Sequence, residues 1–305
     1  MSQDNNYNQV SELAAVHLGK VGGEGYKDQY DPSLLVKIPR KLNREAYDIK
    51  EKKLPFVGVD VWNAYEVSAL TNNGLPVSGM LKIICPANSK YHVESKSIKL
   101  YLNSFNMTKL GFNTREVLRE IENRVSRDLS LLLESNVQVA MFPSTEESGE
   151  ASLVDFTEIS QLVDLEMVKF DTYHSDESTL KSFGENKATQ YYKLKSDLLR
   201  SNCRVTNQPD WGDVFIEIRT KHEIDIESIA RYIVSHRKVN HFHEEIAEMM
   251  FMHLQKAYEP EDLMVACLYT RRGGLDINPI RATSERLIPY VFKSTDIRLA
   301  KTLRQ

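Results

Sequence analysis

Cys203 and Asp210 stand at the two ends of a turn-rich loop in SNCRVTNQPDWGDVFIE, residues 201–217, between two strand-like runs. Polar Ser201 and Asn202 precede the thiol and turn-formers follow it, so solvent or substrate could reach it. Cys203 is then either an ordinary loop cysteine or a nucleophile, and the second role requires its thiolate, from an ordinary thiol pKa of about 8.5. Cys85 in LKIICPA and Cys267 in LMVACLYT sit inside apolar strands, where a thiol packs as a small, inert hydrophobe.

Three histidines crowd one stretch, His236, His241 and His243. Zinc is conceivable there, but no cysteine or carboxylate completes a recognised ligand spacing, and surface or helix-start histidines fit as well. Glu244 follows at the start of a helix. It either complements the helix dipole or offers two acceptors to a pair of parallel N–H donors, such as a guanine edge. In HVESKSIKLYLNSF, residues 92–105, Glu94, Ser95 and Lys96 fall where a short helix begins. They read as a capping segment, or as a phosphate site built on free N–H groups. RRGGLDINP, residues 271–279, puts Arg272 before two glycines, as a basic hairpin turn or another phosphate contact. The glycine cluster GKVGGEGYK lacks Walker spacing and a preceding strand, and reads as a surface loop.

The elements that must position these residues show in the periodicity. Residues 1–54 look like an irregular N-terminal extension. FVGVDVWNAYEV and PVSGMLKIICPA alternate as strands, with Val57, Val59 and Val61 on one side. SIKLYLNSF repeats Ile98, Leu102 and Phe105 at helical spacing. A long helix follows over about 114–134, with Asn113 and Glu116 as its capping pair and Val117, Leu118, Ile121 and Val125 as its buried stripe. NVQVAMF is a further strand. Residues 144–166 are acidic and loop-like, a linker with room for one short strand. The order then repeats over 167–305. TQYYKLKSDLL and WGDVFIEIR are strands, IDIESIARYIV and HFHEEIAEMMFMHLQKAY are helices, and LMVACLYT and GLDINPI are strands. Strand-strand-helix-helix-strand-strand, nearly twice over, predicts an α+β chain of two similar modules, 55–143 and 167–305, each an antiparallel sheet with two helices.

Composition sets the bounds. The 305 residues are 41% hydrophobic and 27% charged, with a net charge of -4. That lacks the basic excess of a general nucleic-acid binder. No apolar run approaches the roughly 18 residues of a membrane span, and the polar start MSQDNNYNQV does not read as a signal peptide. Three scattered cysteines form neither a disulfide framework nor a CxxC metal pattern. A reduced, cytoplasmic protein is the expectation.

Together, ESKSIKLYLNSFN, SNCRVTNQPDWGD, FHEE and RRGGLDINP resemble the hallmark segments of the 7-cyano-7-deazaguanine reductases of queuosine biosynthesis. LGK and YDPSLL near the start and LNR at 42–44 extend the likeness over most of the chain, in the motif order of the long, bimodular subfamily. No motif residue departs from the pattern. The resemblance implies tandem tunnelling-fold modules. It also implies NADPH-dependent reduction of the nitrile of 7-cyano-7-deazaguanine to the 7-aminomethyl compound, with two NADPH per turnover and no metal. Carried over by motif, Cys203 would be the nucleophile that forms a covalent thioimide, and Asp210 the proton donor. Glu94 and Glu244 would grip the deazaguanine edge beside Val93, Ser95 and His243. Ser95, Lys96, Arg272 and Gly273 would meet the dinucleotide. The resemblance further implies a homodimer or larger homo-oligomer acting on a small molecule, with no direct contact to nucleic acid or membrane. Two other readings stay open: a metal-dependent tunnelling-fold pterin or purine enzyme using the histidines, and a non-catalytic purine-binding module.

Overall fold

Alternation along the strands accounts for a sheet covered on both faces. In the second strand Val61 and Trp62 are neighbours in sequence, and successive side chains of a strand point to opposite faces. Val61 accordingly packs with Phe215, Met264 and Ile280, whereas Trp62 packs with Ile98, Val117 and Ile121. The computed structural model describes residues 26–143, 149–204, 206–298, 300, 302 and 305. The glycines of GKVGGEGYK, the LGK segment and residues 144–148 of the acidic stretch lie outside them.

In chain order the strands are β1 (Lys37–Pro39), β2 (Val57–Thr71), β3 (Pro76–Pro86), β4 (Tyr91–Val93), β5 (Lys109–Gly111), β6 (Gln138–Pro143), β7 (Thr157–Glu158), β8 (Ser182–Cys203), β9 (Pro209–Ile224), β10 (Asn240–His241), β11 (Asp262–Tyr269) and β12 (Leu275–Ala282). The α-helices are α1 (Lys41–Arg44), α2 (Ser95–Asn103), α3 (Thr114–Leu133), α4 (Ile226–Ser235), α5 (His243–Tyr258) and α6 (Tyr290–Lys293). A ten-stranded sheet runs β10-β8-β9-β11-β12-β2-β3-β6, with β5 added beside β2 and β7 beside β8. The architecture is α+β. The two halves join at β12 and β2, antiparallel from Leu275↔Ala64 to Ala282↔Val57.

The long helices cover one face of this sheet. Their anchors are Val117, Ile121, Val125 and Leu129 of α3 and Ile246, Met250, Phe251 and Leu254 of α5. The helix-capping expectation holds: Glu116 N–H donates to Asn113 Oδ1 at 3.0 Å, and Glu116 Oε2 accepts from Phe112 N–H at 2.9 Å. The opposite face is covered by Leu153 and Phe156 and by Leu287, Ile288, Val291 and Phe292 near the C-terminus. Lys82 pins that C-terminal segment, its ammonium donating to the carbonyls of Val291, Ser294 and Ile297 at 2.6–2.7 Å.

Residues 26–54 are less irregular than their composition suggests. β1 pairs with β4 in antiparallel register, Ile38 opposite His92. Arg40 N–H donates to the Lys90 carbonyl at 3.0 Å and Glu94 N–H to the Val36 carbonyl at 2.9 Å. Short elements bound mainly through side chains and one strand pair leave no hydrophobic period to read.

Candidate active site

The register of the β8–β9 hairpin decides what Cys203 and Asp210 can do. Asp210 lies directly opposite Ser201, and Ser201 and Cys203, two apart on one strand, share a face. Cys203 and Asp210 therefore point to the same side. Tight closure keeps them there: Cys203 N–H donates to the Gln208 carbonyl at 2.8 Å and Asn207 N–H to the Cys203 carbonyl at 2.9 Å. This corrects the open-loop expectation. Cys203 ends β8, Asp210 is the second residue of β9, and both are buried, Cys203 at 7% exposure and Asp210 at 6%. The next residue anchors the turn. Arg204 Nη1 donates to Asn43 Oδ1 and Glu245 Oε2, each at 2.7 Å.

Three other segments converge on that face. β10 lies parallel to β8 with His241 beside Cys203, and delivers the chain into α5. Phe242 is the N-cap residue, its N–H donating to Glu245 Oε2 at 3.3 Å, and His243 and Glu244 occupy the first turn. From the first half come β4 and the start of α2. From the far side comes the turn after Arg272, where Gly273 and Gly274 take φ of +61° and +78°, the left-handed region that favours glycine.

The cavity they enclose is lined by Cys203, Asp210, His243, Glu244, Val93, Ser95 and Arg272 among the expected residues, and also by His92, His241, Phe242, Trp62 and Ile277. It is narrow, with about 20 Å³ free, room for a single water. A bicyclic base enters only if the walls part. Glu94, Lys96 and Gly273 are not part of this lining. The Glu94 carboxylate caps α2, accepting from Ser97 N–H at 2.7 Å, and Lys96 is exposed. Gly273 lines a neighbouring cavity of about 360 Å³ with Lys99, Asn103 and Asn106. A Cβ added to Gly273 would stand 3.0 Å from Lys99 Nζ.

Asp210 is gripped from two sides. Arg272 Nη1 lies 2.8 Å from Oδ1 and His243 Nε2 lies 3.3 Å from Oδ2. The His243 ring stacks on Tyr269, centroids 3.8 Å apart and planes at 11°. Glu244 is 5% exposed. Burial pushes its carboxyl up, but His92, with Nδ1 3.7 Å from Oε1, and the more distant charge of Arg40 outweigh it, so the net direction is down. Of the three histidines, His241 and His243 reach the cavity. His236 does not, and its surface placement is corrected: it is fully buried, Nδ1 donating to the Tyr232 carbonyl at 2.9 Å. Among the described residues no group of three or more His, Cys, Asp or Glu is disposed to hold a metal ion.

Beneath the cavity lies an ionic lattice that sequence reasoning missed. Arg44 is bidentate to Glu248, at 2.9 and 2.7 Å. Arg281 bridges Glu248 at 2.9 Å and Asp60 at 2.7 Å, and Arg40 reaches Asp60 at 2.5 Å. All five are at most 4% exposed. Burial would raise both carboxyls, yet the guanidinium groups hold each below the ordinary carboxylate range. Its members come from the N-terminal segment, β2, α5 and β12, so it locks both halves at the seam. The one sequence signal was LNR at 42–44, whose Asn43 serves the Cys203 turn and whose Arg44 serves Glu248.

Residues 26–141 match the family model described as nitrile reductase, 7-cyano-7-deazaguanine-reductase N-term. Residues 209–287 match the model described as QueF-like protein. Among solved structures, the archaeosine synthase QueF-Like in the apo form is similar at 18% identity and a TM-score of 0.29, covering 34% of this chain and 100% of its own. Both halves are thus matched, in order, to models of one enzyme, and the chain belongs to the 7-cyano-7-deazaguanine reductase family of nitrile reductases, in its long, two-domain form.

Proposed function

We propose that the cavity beside Cys203 reduces the nitrile of 7-cyano-7-deazaguanine to the 7-aminomethyl compound, with NADPH as reductant. The observation that carries this reading is the hairpin register, which puts a thiol and a carboxyl group on one face beside the buried carboxylate of Glu244. Glu244 accepts from the N1–H and 2-amino groups of the base. The Cys203 thiolate adds to the nitrile carbon, breaking one C–N π bond, while the nitrogen takes a proton from Asp210, giving a thioimide. When bound, NADPH supplies two electrons and a hydrogen at a time, so two molecules are needed per nitrile. Two such reductions, with the Cys203 thiolate leaving between them, would take the thioimide to the amine. His243, 3.3 Å from Asp210, can return the proton between steps.

The residues fit a phosphate-bearing cofactor. Lys96 is exposed at the start of α2, Arg272 is 39% exposed, and Gly273 turns with φ of +61° beside Lys99. Ser95 and Arg272, in the cavity wall, and Lys96 and Gly273, beside it, would hold it. In this reading 55–143 and 167–305 are tunnelling-fold modules joined by 144–166, with 1–54 as an extension. Among the described residues β6 ends the sheet with one edge unpaired, which favours assembly into a homodimer or larger, since such an edge is a template for another chain. No disulfide joins the cysteines, in keeping with a reducing, cytoplasmic setting.

The test follows reduced-nicotinamide absorbance with the nitrile substrate, and intact mass without NADPH. Two NADPH consumed per nitrile and a nitrile-sized adduct that disappears in Cys203→Ala are expected. A folded protein giving neither would overturn the assignment.

A further inference from the structure

The wall contributed by the first half holds a residue that belongs to none of the expected roles. His92 sits on β4, fixed opposite Ile38 of β1, and is 4% exposed. Its ring meets Phe242 edge-on, centroids 4.9 Å apart. Nδ1 faces Glu244 Oε1 at 3.7 Å, too long for a hydrogen bond. His92 Nε2 and Glu244 Oε1 are both buried in the cavity wall without a hydrogen-bond partner. Buried polar atoms are seldom left unmatched, and two adjacent in one cavity point to a ligand that satisfies both.

We propose that His92 is a specificity-determining residue that reads the C6 carbonyl of the base. The inference rests on the assignment of the cavity to a 7-deazaguanine. An imidazole N–H beside a carboxylate presents donor, acceptor, acceptor. That is the complement of the C6 carbonyl, N1–H and 2-amino edge, which reads acceptor, donor, donor. Glu244 alone meets only the two donors. His92 supplies the third contact and rejects bases that lack a strong acceptor at C6, because its N–H would then stay buried and unpaired.

The experiment compares 7-cyano-7-deazaguanine with its 6-thio analogue, which keeps N1–H and the 2-amino group and puts a weaker, bulkier acceptor at C6. Steady-state kinetics are measured on the wild type, His92→Leu and His92→Gln. The wild type is expected to prefer the oxo base by about tenfold in kcat/KM. In His92→Leu, KM for the oxo base rises about tenfold while kcat stays within about threefold, and the preference collapses. His92→Gln, which keeps an N–H donor, recovers part of it. A structural role alone would weaken both bases equally and leave the ratio unchanged, which overturns the proposal. So does a wild type that treats the two bases alike, a result that needs no variant to fold. A wild type that reduces neither base instead overturns the reading of the cavity itself.

Discussion

Each half of the molecule has one long hairpin, and each hairpin carries a cysteine and an aspartate. In the first, Asp60 lies directly opposite Cys85. Asp60 is fully buried and held by Arg40 and Arg281, and the Cys85 thiol is pushed far up by burial, then by the charge of Asp60. In the second, Cys203 and Asp210 sit at the turn end, and the Arg272 that grips Asp210 is 39% exposed. The residue types are the same. What differs is the exposure of the charged partner: between buried arginines the pair is part of a lock, whereas beside half-exposed Arg272 it lines a cavity. The comparison also shows why cysteine type alone says little, since burial likewise raises the Cys267 thiol, to about 12.

The strongest way to break this contrast is to remove each thiol in turn. Cys203→Ala should lower nitrile turnover by at least about a thousandfold with the melting temperature little changed, as for loss of a covalent nucleophile. Cys85→Ala should leave turnover within about twofold and lower stability by about 1–2 kcal/mol. Steady-state NADPH oxidation and urea unfolding read the two effects, and equal activity losses would erase the distinction.

The lock predicts the next largest effect. Glu248→Gln leaves Arg44 and Arg281 facing an amide in a buried site, and removing one side of a buried charge network costs about 3–5 kcal/mol. A shift in urea midpoint of less than about 1 kcal/mol equivalent would mean that water enters the seam.

How legible this was in the sequence follows the same division. Cys203, Asp210 and Glu244 were named because SNCRVTNQPDWGD and FHEE resemble segments of the family, and the structure brings the three to one cavity. The lattice could not be picked out, because Arg44 and Glu248 are 204 residues apart and no periodicity links them. In HEEIAEMMF nothing marks Glu245 and Glu248 for burial until Arg204, Arg44 and Arg281 are located. His236 was misread for a related reason: basic neighbours Arg237 and Lys238 suggest a surface, whereas the end of α4 turns it inward. His92 left almost no signal, since a three-residue strand is too short to show alternation.

Acid titration separates the halves in a different way. His236 is held neutral by burial, its pKa lowered to about 4, with hydrogen bonds to the Tyr232 and Ile233 carbonyls opposing that shift. The unfolded state takes up its proton first, near pH 6.5, so the stability is complete above that and is lost as pH falls towards 4. The full difference is worth about 3 kcal/mol. His253, also lowered chiefly by burial, adds to the same slope. The Asp60 and Glu248 contributions act below this window, because carboxyls held down in the fold lose stability only as pH drops through the ordinary carboxylate range. Unfolding free energies of the wild type and His236→Gln between pH 7 and 4.5 should therefore converge on acidification. Parallel curves would show that His236 is not the group responsible.

The smallest effect is the sharpest test of what exposure does to one type of bond. Arg40 and Arg272 each hold an aspartate on a hairpin, at 2.5 and 2.8 Å. The distances are nearly alike, yet Arg40 is 3% exposed and Arg272 is 39% exposed. Water screens the second pair, and such pairs contribute about 0–1 kcal/mol. Arg272→Ala should therefore move the urea midpoint by less than about 1 kcal/mol equivalent, whereas Arg40→Ala, which leaves Asp60 with one cation fewer in a dry site, should cost several times as much. On the proposed function Arg272→Ala also raises KM for NADPH, so the same substitution separates stability from binding. If Arg272→Ala instead unfolds the protein as readily as Arg40→Ala does, the mouth of the cavity is itself part of the lock, and the contrast between the two hairpins fails.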